Sequence, residues 1–100
     1  LLADLTAPEI EKLQPAAGAV VDGRPKIRAV LRDAGAGIGR EEDIEFELDG
    51  RPLIAEYDPD ADLVHGLLLA DLAPGRHRLV LVVRDMSGNQ AVARSEFEVR

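Results

Sequence analysis

Apolar and polar residues alternate with a period of two over several short stretches of this chain. Between residues 26 and 32, Ile27, Ala29 and Leu31 fall on one face, while Lys26, Arg28 and Arg32 fall on the other. Residues 43–49 repeat the pattern, with Ile44, Phe46 and Leu48 inward and Glu45 and Glu47 outward. That spacing puts each apolar set on one side of a β-strand. No segment holds apolar residues at helical spacing for three turns between caps. The expected strands are residues 8–14, 26–32, 43–49, 51–57, 63–69, 76–84 and 90–99. The first has Ile10 and Leu13 as its apolar members, breaks at residues 15–18, and resumes at residues 19–21.

Turn chemistry separates these runs. Asp49-Gly50 suits a type I′ hairpin turn, whose two central positions both need positive φ. Pro52 cannot donate to a ladder, so the strand after that turn should be short or at an edge. Pro74-Gly75 suits the centre of a type II turn. Asp85-Met86-Ser87-Gly88-Asn89 should form a tight loop. Seven strands in 100 residues predict an all-β, immunoglobulin-like antiparallel β-sandwich. Successive short hairpins exclude a parallel sheet, since parallel neighbours need long crossovers. The expected core is Ile27, Leu31, Phe46, Leu48, Leu79, Leu81, Val83, Phe97 and Val99. Residues 1–7 read as a linker or the end of a preceding segment, and residues 8–100 as the domain.

Composition narrows the function classes. Apolar residues make up 46% of the chain, too many for disorder. The net charge of −7 argues against nucleic acid and anionic membranes as partners. With no cysteine, disulfides and thiolate metal sites are impossible. The longest aliphatic run, residues 79–83, is far too short to span a membrane.

Four landmarks occur in order: Thr6-Ala7-Pro8, Pro15-Ala16-Ala17-Gly18, Leu48-Asp49-Gly50-Arg51-Pro52, and Leu72-Ala73-Pro74-Gly75-Arg76-His77 leading to Arg84-Asp85-Met86-Ser87-Gly88-Asn89. Together they resemble the bacterial Ig-like repeats, related to fibronectin type III modules, of secreted and surface proteins. The resemblance covers roughly residues 6–99. It implies an extracytoplasmic location, membership of a multidomain chain and no catalytic residues. The role it suggests is a spacer, with an adhesion or recognition module, binding through a sheet edge or end loops, as the alternative. Expected partners are flanking domains of the same chain or another protein, and the isolated domain should be a monomer. No cofactor is expected.

Each candidate site competes with a structural role. Asp33, Asp85 and Asn89 could meet at one end of a sandwich as calcium ligands, with Asp4 joining them. Asp and Asn are also ordinary turn formers, and three scattered oxygens fall short of the six to eight that calcium takes. The acidic run from Glu41 to Asp43, continuing to Glu45, Glu47 and Asp49, reads as a solvated face. His65 and His77 lack triad or zinc spacing. His77 stands where the resembled family often places a corner tyrosine, whose tip bonds back to the turn backbone. Ser87 and Ser95, the only serines, have no nearby base. The glycines at 35, 37 and 39 lack the Lys-Ser/Thr of a phosphate loop. Of the three aromatics, Tyr57 alone is left outside the core phase, which weakens a sugar-binding reading. Calcium should therefore not stabilise the isolated domain. Melting in millimolar calcium against chelator checks this, and a rise of several degrees abolished by Asp85→Ala would overturn it.

Overall fold

A computed structural model describes residues 8–32, 43–86 and 88–100. The eight strands among them are β1 (Glu9–Gln14), β2 (Val20–Val21), β3 (Ile27–Arg32), β4 (Ile44–Leu48), β5 (Arg51–Asp58), β6 (Leu63–Leu67), β7 (Gly75–Arg84) and β8 (Gln90–Val99). They join in the order β1-β3-β6-β5-β4-β7-β8-β2. The sheet folds over at β5: residues 51–53 pair with β4, and residues 54–58 pair with β6. Two layers result, β1-β3-β6-β5 and β5-β4-β7-β8-β2, in the strand order of an immunoglobulin-like sandwich.

The inward faces of both layers merge into one apolar cluster. Ile27, Ala29, Leu31 and Val64 come from the first layer, and Ile44, Phe46, Leu48, Leu79, Leu81, Val83, Phe97 and Val99 from the second. All nine residues expected in the core are there. Val64 was not among them, because the mixed run in β6 does not reveal its phase. Its neighbour in phase is Gly66, also buried. A Cβ there would lie 2.9 Å from Ile27 Cγ2 and 3.2 Å from Phe46 Cδ2. The absence of a side chain at Gly66 lets residues from the two layers close over β6.

Several local expectations change in the structure. The first run is two strands: β1 pairs antiparallel with β3, while β2 crosses to the other layer and pairs parallel with β8. Hairpin logic excludes parallel neighbours only between successive strands, and β2 and β8 lie far apart in the chain. Ile10 and Leu13 are three apart, so a regular strand would send them to opposite faces. A bulge between Glu11 and Gln14, with Lys12 at φ 53°, turns both toward the core. β5 is at the edge of both layers, as Pro52 required, but it is eight residues long rather than short. β6 stops at Leu67, and Leu69 is 82% exposed. Tyr57 is not free: it is half-buried, paired with Val64 and packed on the core.

The turns carry the register. Asp49 and Gly50 both take positive φ, 53° and 82°, as a type I′ turn requires. Leu48 therefore faces Arg51, and β4 and β5 hold their inward phase. At Pro74-Gly75, Gly75 takes φ 127°, outside type II geometry, and begins β7.

Gly66→Ala should lower the urea midpoint, by about 1–3 kcal/mol of stability, because the added methyl overpacks Ile27 and Phe46. Elsewhere in a strand the same change would stabilise through the unfolded chain. A raised midpoint would show that the core yields at this point.

Candidate functional site

Register gives the sandwich two distinct ends. β1 begins beside the end of β3, Glu9 facing Arg32, and β4 begins beside the end of β7, Ile44 facing Val83. This is the amino end, and the β7–β8 loop closes it. β8 finishes beside the start of β7, Val99 facing Gly75. The β4–β5 turn and the β6–β7 connection lie at this carboxyl end.

At the amino end, Asp85 is 4% exposed and turned into its own loop. Its Oδ1 accepts from the Asn89 backbone N–H at 2.8 Å, and its Oδ2 accepts from Asn89 Nδ2 at 3.1 Å. The Asp85 N–H donates to the Asn89 carbonyl at 2.9 Å. Both carboxylate oxygens therefore take part in closing the turn. Asp33 and Asp4 lie outside the described residues, as do Ser87, the glycines at 35, 37 and 39, and residues 1–7. Among the described residues, no three His, Cys, Asp or Glu side chains come together as metal ligands.

At the carboxyl end, His77 faces inward opposite Phe97, with 12% of its side chain exposed. Nε2 lies 2.7 Å from the Ala73 carbonyl oxygen, and Nδ1 lies 2.6 Å from Asp49 Oδ2. The bond back to Ala73 is the corner contact expected from the position of His77. The bond to Asp49 could not be foreseen, because it depends on the β4–β5 turn folding against β7. Asp49 Oδ1 also accepts from the Arg78 N–H at 2.9 Å. The ring stacks on Phe97, centroids 5.7 Å apart. The hydrogen bond to the Ala73 carbonyl and the one to Asp49 raise the His77 pKa above its ordinary 6.5, against the opposing effect of desolvation. For Asp49, desolvation pushes upward, but the Arg78 N–H and His77 outweigh it and hold the carboxyl below its ordinary 3.8.

Other candidates resolve into structure. Glu45 and Glu47 are exposed on the outer face of β4, and Arg84 meets Glu45 at 3.5 Å. Such surface pairs contribute little. His65 is half-buried between Glu56 and Arg28 on neighbouring strands. Ser95, dismissed as a nucleophile, has a structural role that the sequence did not signal. It is buried and donates from Oγ to the Pro15 carbonyl at 2.7 Å, tying β8 to the break between β1 and β2.

One surface feature stands apart from these contacts. A shallow groove of about 670 Å³ runs between the β4–β5 hairpin and the β6–β7 connection. Leu53, Ile54, Leu67, Leu68 and Leu69 line it, with Asp49, Arg51 and Asp71 among its polar neighbours. Ile54 is 60% exposed and Leu69 82%.

No protein-family model matches the chain, and no curated protein matches it. Solved structures do. CopC from Methylosinus trichosporium OB3b superposes with a TM-score of 0.70 at 18% identity, covering 92% of each chain. Dimeric latent PorU from Porphyromonas gingivalis superposes with a TM-score of 0.65 at 27% identity. That match covers 95% of this chain and 10% of the PorU chain. The likeness to CopC shows the fold alone. The likeness to PorU shows the same fold as a small part of a much longer protein.

The His77–Asp49 pair makes stability depend on pH. The raised histidine contributes fully below its ordinary 6.5 and loses that contribution as pH rises through its folded value. The lowered aspartate contributes fully above its ordinary 3.8 and loses it as pH falls through its folded value. The urea midpoint should therefore fall as pH rises from below 6.5 through the raised folded-state value of His77. His77→Phe, which keeps an aromatic ring against Phe97, should flatten that slope. An unchanged slope in this variant would assign the dependence to other groups.

Proposed function

We propose that this chain is a non-catalytic spacer module of a larger extracytoplasmic bacterial protein. The observation that carries the reading is the separation of the two ends. β1 begins at the amino end and β8 finishes at the carboxyl end of a body measuring 52 × 22 × 22 Å. A module threaded in this way sets a distance between whatever precedes and follows it. The PorU match, in which the same fold occupies a tenth of the chain, supports membership of a longer protein. The extracytoplasmic assignment rests on the resemblance to Ig-like repeats of secreted and surface proteins. Three well-shielded polar side chains, His77, Asp85 and Ser95, each bond to a turn or chain break.

A second reading, protein recognition, is favoured by the exposure of two apolar side chains at the groove, Ile54 on β5 and Leu69 after β6. Replacement within the longer chain separates the two. A foreign sandwich of the same end-to-end length and unrelated surface should restore the function lost on deleting this module. If it fails while Ile54→Lys with Leu69→Lys abolishes function in the intact protein, recognition is the role and the spacer reading is wrong.

A further inference from the structure

We propose that His77 is a proton-operated clasp across the carboxyl end of the sandwich: with both ring nitrogens protonated it ties the β4–β5 turn to the β6–β7 connection, and on losing a proton it keeps Asp49 and releases Ala73. The geometry demands a choice of this kind. Both ring nitrogens point at oxygens, Nδ1 at a carboxylate and Nε2 at a backbone carbonyl. An ionised carboxylate and a carbonyl can only accept, so both contacts are satisfied together only by the imidazolium. A neutral ring has one N–H and can serve one of them.

The surroundings decide which contact survives. The Asp49 carboxylate forms the stronger, charge-assisted bond, and the Arg78 N–H fixes it in place through its other oxygen at 2.9 Å. Ala73 is exposed, so water can take over its carbonyl at little cost. The neutral ring therefore keeps its proton on Nδ1. The other charged groups lining the hollow beside His77 are Arg76 and Arg78, on the outward phase of its own strand, and Glu96, on the outward phase of β8. Arg78 is 3.3 Å from Glu96, so each largely offsets the other. Phe97 presents a π-face to the ring, which favours the charged form.

Release has a structural consequence. Leu48 and Asp49 line one wall of the apolar groove and Leu72 the other, and Ala73 directly follows Leu72. The imidazolium spans those walls. Without the Ala73 contact, the Leu68–Leu72 wall keeps the bond from the Leu72 N–H to the Gly23 carbonyl, 2.6 Å long, and the Arg24–Asp71 pair. The clasp thus makes the rigidity of that wall depend on pH.

Nitrogen-15 NMR of the imidazoles, with amide exchange, tests this on the whole domain. His77 should titrate with a midpoint above 6.5, and its neutral form should be the Nδ1–H tautomer. Across that titration the protection factor of the Leu72 amide should fall roughly fivefold, about the loss of one net hydrogen bond, while that of Arg78 holds. Asp49→Asn suits the same turn, since asparagine tolerates positive φ. It should lower the midpoint and abolish the change at Leu72. A midpoint below 6.5, an Nε2–H neutral tautomer in the unaltered domain, or Leu72 protection that does not change through the titration would overturn the proposal.

Discussion

The two layers of this sandwich meet over a residue with no side chain. Ile27 from β3 and Phe46 from β4 fill the space above Gly66, and a methyl group there would sit 2.9 Å from one and 3.2 Å from the other. Close packing is what turns two amphipathic sheets into one core, because apolar area and dispersion contacts are gained only when the inward faces touch. The other inward residues follow from that spacing. Leu79, Leu81 and Val83 descend along β7 opposite Phe46 and its neighbours, and Phe97 and Val99 close the carboxyl end.

A single folded-over sheet needs its strands to change layers, and polar contacts stabilise the places where they do. β5 leaves one layer for the other between Leu53 and Ile54. The chain between β1 and β2 makes a similar move around Pro15, and Ser95 holds the Pro15 carbonyl from within the core. Asp85 closes the β7–β8 loop, and His77 joins two connections at the opposite end. These buried or half-buried polar groups cost free energy unless bonded, and each has its partner in a turn. The polar chemistry that the structure displays is thus largely occupied in holding connections.

The groove at the carboxyl end is the feature least explained by stability alone. Exposed Ile54 and Leu69 lose the benefit of burial in the isolated domain, and the His77 clasp bridges the walls beside them.

Alternation determined the strand phase of β3 and β4, because a period of two leaves no choice once one face must be buried. Asp49-Gly50 likewise announced its turn, since few other pairs accept positive φ twice. Asp85 and Asn89 were legible as turn formers, and His77 as a corner residue by resemblance to a known family. What depended on distant contacts was not legible. Lys12 adopts its strained φ so that Ile10 and Leu13, three residues apart, can both reach the core. Val20 and Val21 change layers to lie beside Glu98 and Val99. Ser95 finds Pro15, and His77 finds Asp49. Each of these joins residues widely separated in the chain or answers a core built by other strands. Local pattern carries no information about such partners; only the closed sandwich brings them together.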